Sequence, residues 1–120
     1  MTSIIKKTHF DKTISERKLE VTKIYNNYPS KICIYIDKQD SCKTLNTLKK
    51  HKYLSERDML FSQYVYVIRK QLDMNKETAL IFFINGNIPS SQLSLGELYD
   101  KYQNDDGFLY ITYTGENCFG

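Results

Sequence analysis

The residues best suited to nucleophilic or metal chemistry in this 120-residue chain are three cysteines and two histidines, Cys33, Cys42, Cys118, His9 and His51. The cysteines form no C-x-x-C pair, and the histidines lie far apart with no partner at metal-ligand spacing. An odd number of cysteines cannot all pair in a secreted disulfide framework. We therefore interpret all three as reduced thiols, expect surface or edge positions for both histidines, and expect no metal site.

The same residues do not suggest an active site. Neither of the glycine-rich phosphate-binding motifs, G-x-x-x-x-G-K-S/T and G-x-G-x-x-G, occurs in the chain. Isolated histidines and scattered thiols cannot supply a nucleophile, a base and an orienting group. We predict that the chain has no catalytic residues and needs no cofactor.

Composition is typical of a soluble domain, with 41% apolar and 26% charged residues and no run near the ~20 apolar residues of a membrane span. The first residues lack the pattern of a signal peptide, so we expect a cytoplasmic protein. Charge is uneven: residues 1–60 carry 13 basic and 7 acidic residues, and residues 61–120 carry 4 and 7. The basic half could meet an acidic partner, an anionic membrane or nucleic acid.

Hydrophobic periodicity predicts the elements that must position these residues. Two longer helices are expected over 13–25 and 61–72, a short one after Ser94 and another short one over Ser3–Phe10. Capping boxes are expected at Thr13-x-x-Glu16, Ser55-x-x-Asp58 and Ser94-x-x-Glu97. Strands are expected over 32–37, around 53–54, over 79–84 and over 108–113, the third covered on both faces because its apolar run is continuous.

The last seven residues, Thr114-Gly115-Glu116-Asn117-Cys118-Phe119-Gly120, differ from everything before them. They are polar, contain two glycines and follow the last predicted strand. Packing gives them no evident role, so we predict a flexible tail.

The order of elements together with this tail resembles a β-grasp domain, as found in ubiquitin-like modifiers. Several segments resemble one family in particular, the autophagy ubiquitin-like modifiers that include light chain 3 and the GABA-receptor-associated protein. These segments are Tyr28-Pro29, Lys52-Tyr53-Leu54, residues 63–70, Leu98-Tyr99, residues 105–113, Gly115-Glu116-Asn117 and Phe119-Gly120. The resemblance runs from about residue 14 to residue 120 and is most specific in the C-terminal third.

The resemblance implies an α+β fold, a ubiquitin-like β-grasp with a four-stranded mixed sheet and two helices, preceded by two N-terminal helices. It divides a single domain into a helical extension (1–28), a β-grasp core (29–113) and a flexible conjugation tail (114–120). It also implies that activating and conjugating enzymes join Gly120 to phosphatidylethanolamine on autophagosomal membranes. A deconjugating cysteine protease would reverse the reaction.

A second implied activity is the recruitment of cargo receptors and adaptors through extended aromatic-x-x-aliphatic peptides, which pair with a sheet edge. The resemblance assigns the aromatic pocket to Glu20, Ile24, Cys33, Lys52, Leu54 and Phe108. It assigns the aliphatic pocket to Tyr53, Ser55, Met59, Tyr64 and Val67. Lys31, Lys49 and Lys50 would favour acidic residues that flank the peptide.

The chain departs from the family pattern at both pockets. Cys33 stands where the family usually has proline, and Ser55-Glu56 stands where a valine-proline pair is usual. Loss of apolar lining predicts a shallower or more polar aliphatic pocket and puts the peptide preference in question.

The same residues allow three alternative interpretations. The apolar pattern alone favours core packing for Ile24 and Phe108, with Phe108 packing the N-terminal helices onto the sheet, and only the resemblance makes them site residues. A nucleic-acid module would fit the basic first half, but the chain lacks an RNP-type aromatic motif, and we expect no nucleic acid partner. A non-conjugated ubiquitin-like peptide-binding adaptor would share the pockets and make no use of Gly120.

Overall fold

A computed structural model describes residues 8–74 and 78–118 and contains a mixed four-stranded sheet. Its strands are β1 (Lys31–Lys38), β2 (Lys52–Glu56), β3 (Leu80–Phe83) and β4 (Phe108–Gly115), in the order β2-β1-β4-β3. The central pair, β1 and β4, is parallel, and the other two pairs are antiparallel. The helices are α1 (Ile14–Asn27), α2 (Phe61–Leu72) and α3 (Leu95–Tyr102), with 3-10 turns at His9–Asp11 and Glu116–Cys118. The predicted α+β class is confirmed.

The two faces of the sheet follow from alternation along the central strands. On β1, Ile32, Ile34 and Ile36 belong to the main core, as do Leu109, Ile111 and Tyr113 on β4. Helix α2 adds Phe61, Tyr64, Ile68 and Leu72 to the same core, as its helical spacing predicts. The intervening residues of β1 and β4 point to the other face, where Tyr35 and Phe108 contact His9.

Two of the three predicted capping boxes are confirmed. The Thr13 and Ser94 hydroxyls accept hydrogen bonds from the amides of Glu16 and Glu97, each over 3.1 Å. The box predicted at Ser55-x-x-Asp58 is wrong because Ser55 pairs with Ile32 inside β2. Helix α2 begins later, after Leu60, whose amide donates to the Gln63 side chain over 2.9 Å.

The predictions for the last two strands need correction. β3 is an edge strand, and Leu80, Ile81 and Phe83 are only half-buried, so it is not covered on both faces. β4 continues past Tyr113 to Gly115, because Thr114 and Gly115 pair with Ile81 and Leu80. A continuous apolar run therefore indicated a strand but not its place in the sheet. The division into residues 1–28, 29–113 and 114–120 stays a prediction.

The interpretation of all three cysteines as reduced thiols is wrong, because Cys42 and Cys118 form a disulfide with their Cα atoms 5.4 Å apart. The reason is topological. β1 and β4 are parallel neighbours with Lys38 paired to Tyr113, so both strands end at the same end of the sheet and the chain leaves them side by side. Cys42 lies four residues after Lys38, and Cys118 lies five residues after Tyr113.

The N-terminal residues are tied to the face of the sheet opposite α2. Part of the short helix predicted over Ser3–Phe10 lies outside the described residues, and the described part forms a 3-10 turn at His9–Asp11. His9 is buried, so its expected surface position is wrong. Its ring stacks on Tyr35, with centroids 4.4 Å apart, and its Nε2 lies 2.7 Å from the Tyr110 hydroxyl.

A chain of hydrogen bonds selects the tautomer of His9. The Tyr110 hydroxyl donates its proton to Asp106, so its oxygen accepts from the N–H of His9 Nε2. Burial, followed by the positive charges of Lys52 and Arg17, lowers the pKa of His9 to about 4, although the carboxylates of Asp106 and Glu20 oppose the shift. Neutral His9 is thus the form that the fold stabilises.

This pKa predicts a pH dependence of stability. Neutral His9 contributes fully to the free energy of unfolding above pH 6.5. This contribution is lost as the pH falls from 6.5 towards 4, because in that range the unfolded state binds a proton that the folded state does not. At about 1.4 kcal/mol per pKa unit, the loss is on the order of 3 kcal/mol. Denaturant unfolding at several pH values measures it. In His9→Gln, which keeps a donor for Tyr110 but does not titrate, this loss should disappear; parallel pH curves for the two proteins would contradict the prediction.

Candidate functional site

A cavity of about 280 Å³ opens beside β2, and every residue predicted for the aromatic pocket lines it. Its wall is built from α1, β1, β2 and β4. The lining residues are Glu20, Ile24, Cys33, Lys50, Lys52, Tyr53, Leu54 and Phe108.

The sheet register explains why three of these side chains meet. Cys33 on β1 pairs with Leu54 on β2 and with Phe108 on β4, so the three residues form one row across the sheet. Glu20 and Ile24 are four residues apart on α1 and therefore share one side of that helix. Leu54 is 41% exposed, whereas Cys33 and Phe108 are buried at the base of the cavity.

An ion pair gives the cavity its polar component. Lys52 Nζ lies 3.0 Å from one Glu20 carboxylate oxygen, and Lys12 Nζ lies 3.2 Å from the other. Burial alone would raise the pKa of Glu20, but hydrogen bonds from Lys52 and Lys12 outweigh burial and hold that pKa below its usual value. Lys52 Nζ also lies 5.8 Å from the centre of the Phe108 ring. The cavity thus offers an apolar base beside a carboxylate and an ammonium group.

Cys33 contributes apolar surface rather than reactivity. Burial raises the pKa of its thiol to about 11, so it stays protonated at neutral pH. Since the thiolate is the reactive form, Cys33 is a poor nucleophile and serves as part of the cavity wall.

The five residues predicted for the aliphatic pocket do not surround a single cavity. Met59 and Val67 line an open depression between the end of β2 and α2, while Tyr53 lines the first cavity. Ser55 and Tyr64 are buried below the surface, because both side chains point towards the core. The depression is lined by Glu56, Asp58, Met59, Ser62, Gln63, Tyr66 and Val67.

Most of the polar residues in this depression were missed by sequence reasoning. The apolar stripe of α2 drew attention to its buried side, but Ser62 and Tyr66, one turn apart, flank that stripe on the exposed side. Helical spacing therefore could have found them. Glu56 accepts a hydrogen bond from the Ser30 hydroxyl over 3.1 Å and lies 3.8 Å from Lys31 Nζ.

The three lysines predicted to flank a bound peptide occupy different positions. Lys31 is paired with Glu56 as described. Lys50 lines the first cavity and places its Nζ 4.9 Å from the centre of the Tyr53 ring. Lys49 is exposed on the loop before β2.

The predicted conjugation residue, Gly120, lies outside the described residues. The described residues closest to it in sequence are the 3-10 turn Glu116–Cys118, which the disulfide joins to Cys42. No helix within residues 8–74 and 78–118 is long and apolar enough to cross a membrane.

Comparison with known proteins gives consistent matches over nearly the whole chain. A family model described as autophagy protein Atg8, ubiquitin like, matches residues 16–120. Autophagy-related protein 8 of Mycosarcoma maydis is 35% identical over 120 residues, which cover 100% of this chain and 98% of that protein. Autophagy-related protein 8 of Schizosaccharomyces pombe is 38% identical over 113 residues, covering 92% and 90%. The crystal structure of Trypanosoma brucei ATG8 is similar, with a TM-score of 0.85 and 29% sequence identity. The match covers 96% of this chain and 100% of that chain, and it confirms the predicted ubiquitin-like fold.

Proposed function

Because the chain belongs to the Atg8 family of ubiquitin-like autophagy proteins, we propose that it is a modifier that is joined to phosphatidylethanolamine through Gly120. The observation that carries this proposal is the family match, which extends through the tail to residue 120. The conjugated protein would lie on autophagosomal membranes, and the unconjugated protein in the cytoplasm.

The chemistry requires only a carboxylate from this chain. An activating enzyme would adenylate the Gly120 carboxylate with ATP and release pyrophosphate; a cysteine thiolate would then take the acyl group as a thioester and release AMP. The amine of phosphatidylethanolamine would then displace the thiol and form an amide. Glycine suits this role because it has no Cβ to obstruct a narrow enzyme channel. The catalytic groups belong to the partner enzymes, so we propose that the chain itself is not an enzyme.

The cavity beside β2 supports a second part of the proposal, the capture of aromatic-x-x-aliphatic peptides from cargo receptors and adaptors. β2 is an edge strand that pairs only with β1 among the described residues, which leaves its outer edge for an incoming strand. An aromatic side chain would enter the cavity over Phe108 and Leu54. The aliphatic side chain would reach the depression at Met59 and Val67.

Gly120→Ala tests the conjugation site. The variant should keep the melting temperature of the wild type and lose the lipid-linked product, because an added methyl group obstructs threading and transfer. The assay is reconstitution with activating enzyme, conjugating enzyme, ATP and phosphatidylethanolamine liposomes under reducing conditions. If wild type and variant are conjugated equally, Gly120 is not the site; if neither is conjugated, the adaptor alternative is favoured.

Leu54→Ala tests the cavity. Truncating a well-placed side chain at an interface costs more than about 1 kcal/mol, so the affinity for an aromatic-x-x-aliphatic peptide should fall about fivefold in calorimetry. Leu19→Ala is the matched control, since Leu19 is also exposed but lies on α1 outside the cavity lining. Equal losses in both variants, or none in Leu54→Ala, would place the peptide elsewhere.

Glu56 should influence which residues are accepted beside the aliphatic anchor. Its carboxylate lines the depression, so a peptide with Lys next to that anchor should bind more tightly than one with Asp. The preference should be roughly two- to fivefold at low salt, in keeping with an exposed charge pair, and should weaken at high salt. Titration of both peptides against wild type and Glu56→Gln measures it. A preference that persists in Glu56→Gln has another origin, and a preference for Asp contradicts the idea.

A further inference from the structure

We propose that Cys42 and Cys118 form a reversible thiol–disulfide switch that controls whether Gly120 can reach the conjugating enzymes. The proposal rests on the function proposed above and concerns the regulation of the same tail. Its observation is a disulfide that joins the tail to the body of the protein two residues before Gly120.

The position of Cys118 sets the length of the tail. Two residues of chain span at most about 7 Å, so a disulfide at Cys118 confines Gly120 to that distance from the tether. When the disulfide is open, the last strand-paired residue is Gly115, and the five residues after it can span about 17 Å. Oxidation therefore shortens the reach of the tail by more than half.

The other end of the tether is firmly anchored. Cys42 is fully buried, and its amide donates to the Gln39 carbonyl over 3.0 Å. The Gln39 amide in turn donates to the Tyr113 carbonyl of β4 over 2.9 Å. Thr44, which follows Cys42 in the sequence, places its Oγ1 3.3 Å from Cys118 Sγ. The disulfide thus holds the tail against the end of the central strands rather than against a loop without further contacts.

The remaining links between the tail and the sheet are weaker. Beyond β4, the Glu116 amide donates to the Ala79 carbonyl over 3.1 Å. The Thr44 contact with Cys118 adds to it, but each hydrogen bond of this kind contributes only about 1 kcal/mol, so these contacts hold the tail far less firmly than the disulfide. An extended tail is what a narrow enzyme channel requires, and the disulfide prevents that extension.

Glutathione and its disulfide provide a balanced reaction. In oxidation, the Cys118 thiolate attacks glutathione disulfide and releases one glutathione; the Cys42 thiolate then attacks the mixed disulfide and releases the second. Two electrons pass from the protein thiols to glutathione disulfide, whose sulfurs take up the two protons. Reduction by two glutathione molecules reverses each step. Cys118 is partly exposed and Cys42 buried, which makes Cys118 the first to react.

The test uses wild-type protein equilibrated with either glutathione or glutathione disulfide and then freed of both by gel filtration. Intact mass and peptide mapping should show a Cys42–Cys118 bond in the oxidised sample, lighter than the reduced one by two hydrogen atoms. Each sample is then mixed with the enzymes, ATP and liposomes, and the initial rate of lipid conjugation is measured. The rate of conjugation is proportional to the fraction of protein whose tail can reach the enzymes. The oxidised sample should therefore react at roughly one tenth of the rate of the reduced sample, or more slowly still.

Cys118→Ser controls for the treatment itself. It cannot form the bond, so both of its samples should react like reduced wild type. Slow reaction of the oxidised variant would show that the slowing does not depend on this bond and would overturn the switch.

Hydrogen exchange gives a readout that does not involve the enzymes. Amides of residues 116–118 should exchange more slowly in oxidised than in reduced wild type, and equally in both samples of Cys118→Ser. Equal exchange, equal conjugation of the two wild-type samples, or failure of the bond to form would each overturn the switch and leave the modifier function standing. If reduced wild type and Cys118→Ser are not conjugated at all while exchange still responds to oxidation, the proposed function fails instead.

Discussion

Parallel pairing of β1 with β4 is the constraint on which the candidate peptide-binding cavity and the disulfide-linked tail both depend. At one end of the pair, Cys33 beside Phe108 forms the base of the cavity that faces α1. At the other end, Lys38 beside Tyr113 brings the following segments together and allows Cys42 to meet Cys118. The same alternation that buries one face of these strands in the core leaves the other face for the N-terminal elements. A shift of register by one residue would therefore disrupt the core, the cavity and the disulfide together.

Helix α1 completes the cavity although it has no fully buried residue, so other interactions must hold it. Asp106 supplies the central one: its carboxylate accepts hydrogen bonds from Arg17 Nε over 2.9 Å, from the Phe108 amide over 2.9 Å and from Tyr110. Removing one partner of such a buried pair leaves an uncompensated charge, which is strongly destabilising. The neighbouring Gly107 has φ +88, and a Cβ there would lie 2.9 Å from a Val21 methyl group of α1. The turn before β4 thus sets the distance between α1 and the sheet.

Sequence patterns predicted which residues face the core, but not which elements become neighbours. The stripe on α2 and the alternation on β1 depend on local periodicity, and both are confirmed. The disulfide, which joins residues 76 positions apart in sequence, depends on the parallel pairing of β1 with β4, which counting cysteines cannot show. Burial of His9 was missed for a similar reason, because Tyr35 and Tyr110, which surround it, belong to distant strands. The cavity residues came from family resemblance, since spacing alone favoured core packing for Ile24 and Phe108.

The departures from the family pattern have unequal consequences once their positions are known. Cys33 keeps the base of the first cavity apolar, because its buried thiol remains protonated. Ser55 is buried beneath the sheet edge and lines neither the cavity nor the depression, so its hydroxyl adds no polarity to either surface. Glu56 is exposed and brings a carboxylate, partly balanced by Lys31, into the depression. In the proposed peptide-binding role, differences in preference from other family members should therefore arise mainly at the aliphatic position, and the aromatic position should keep an apolar base.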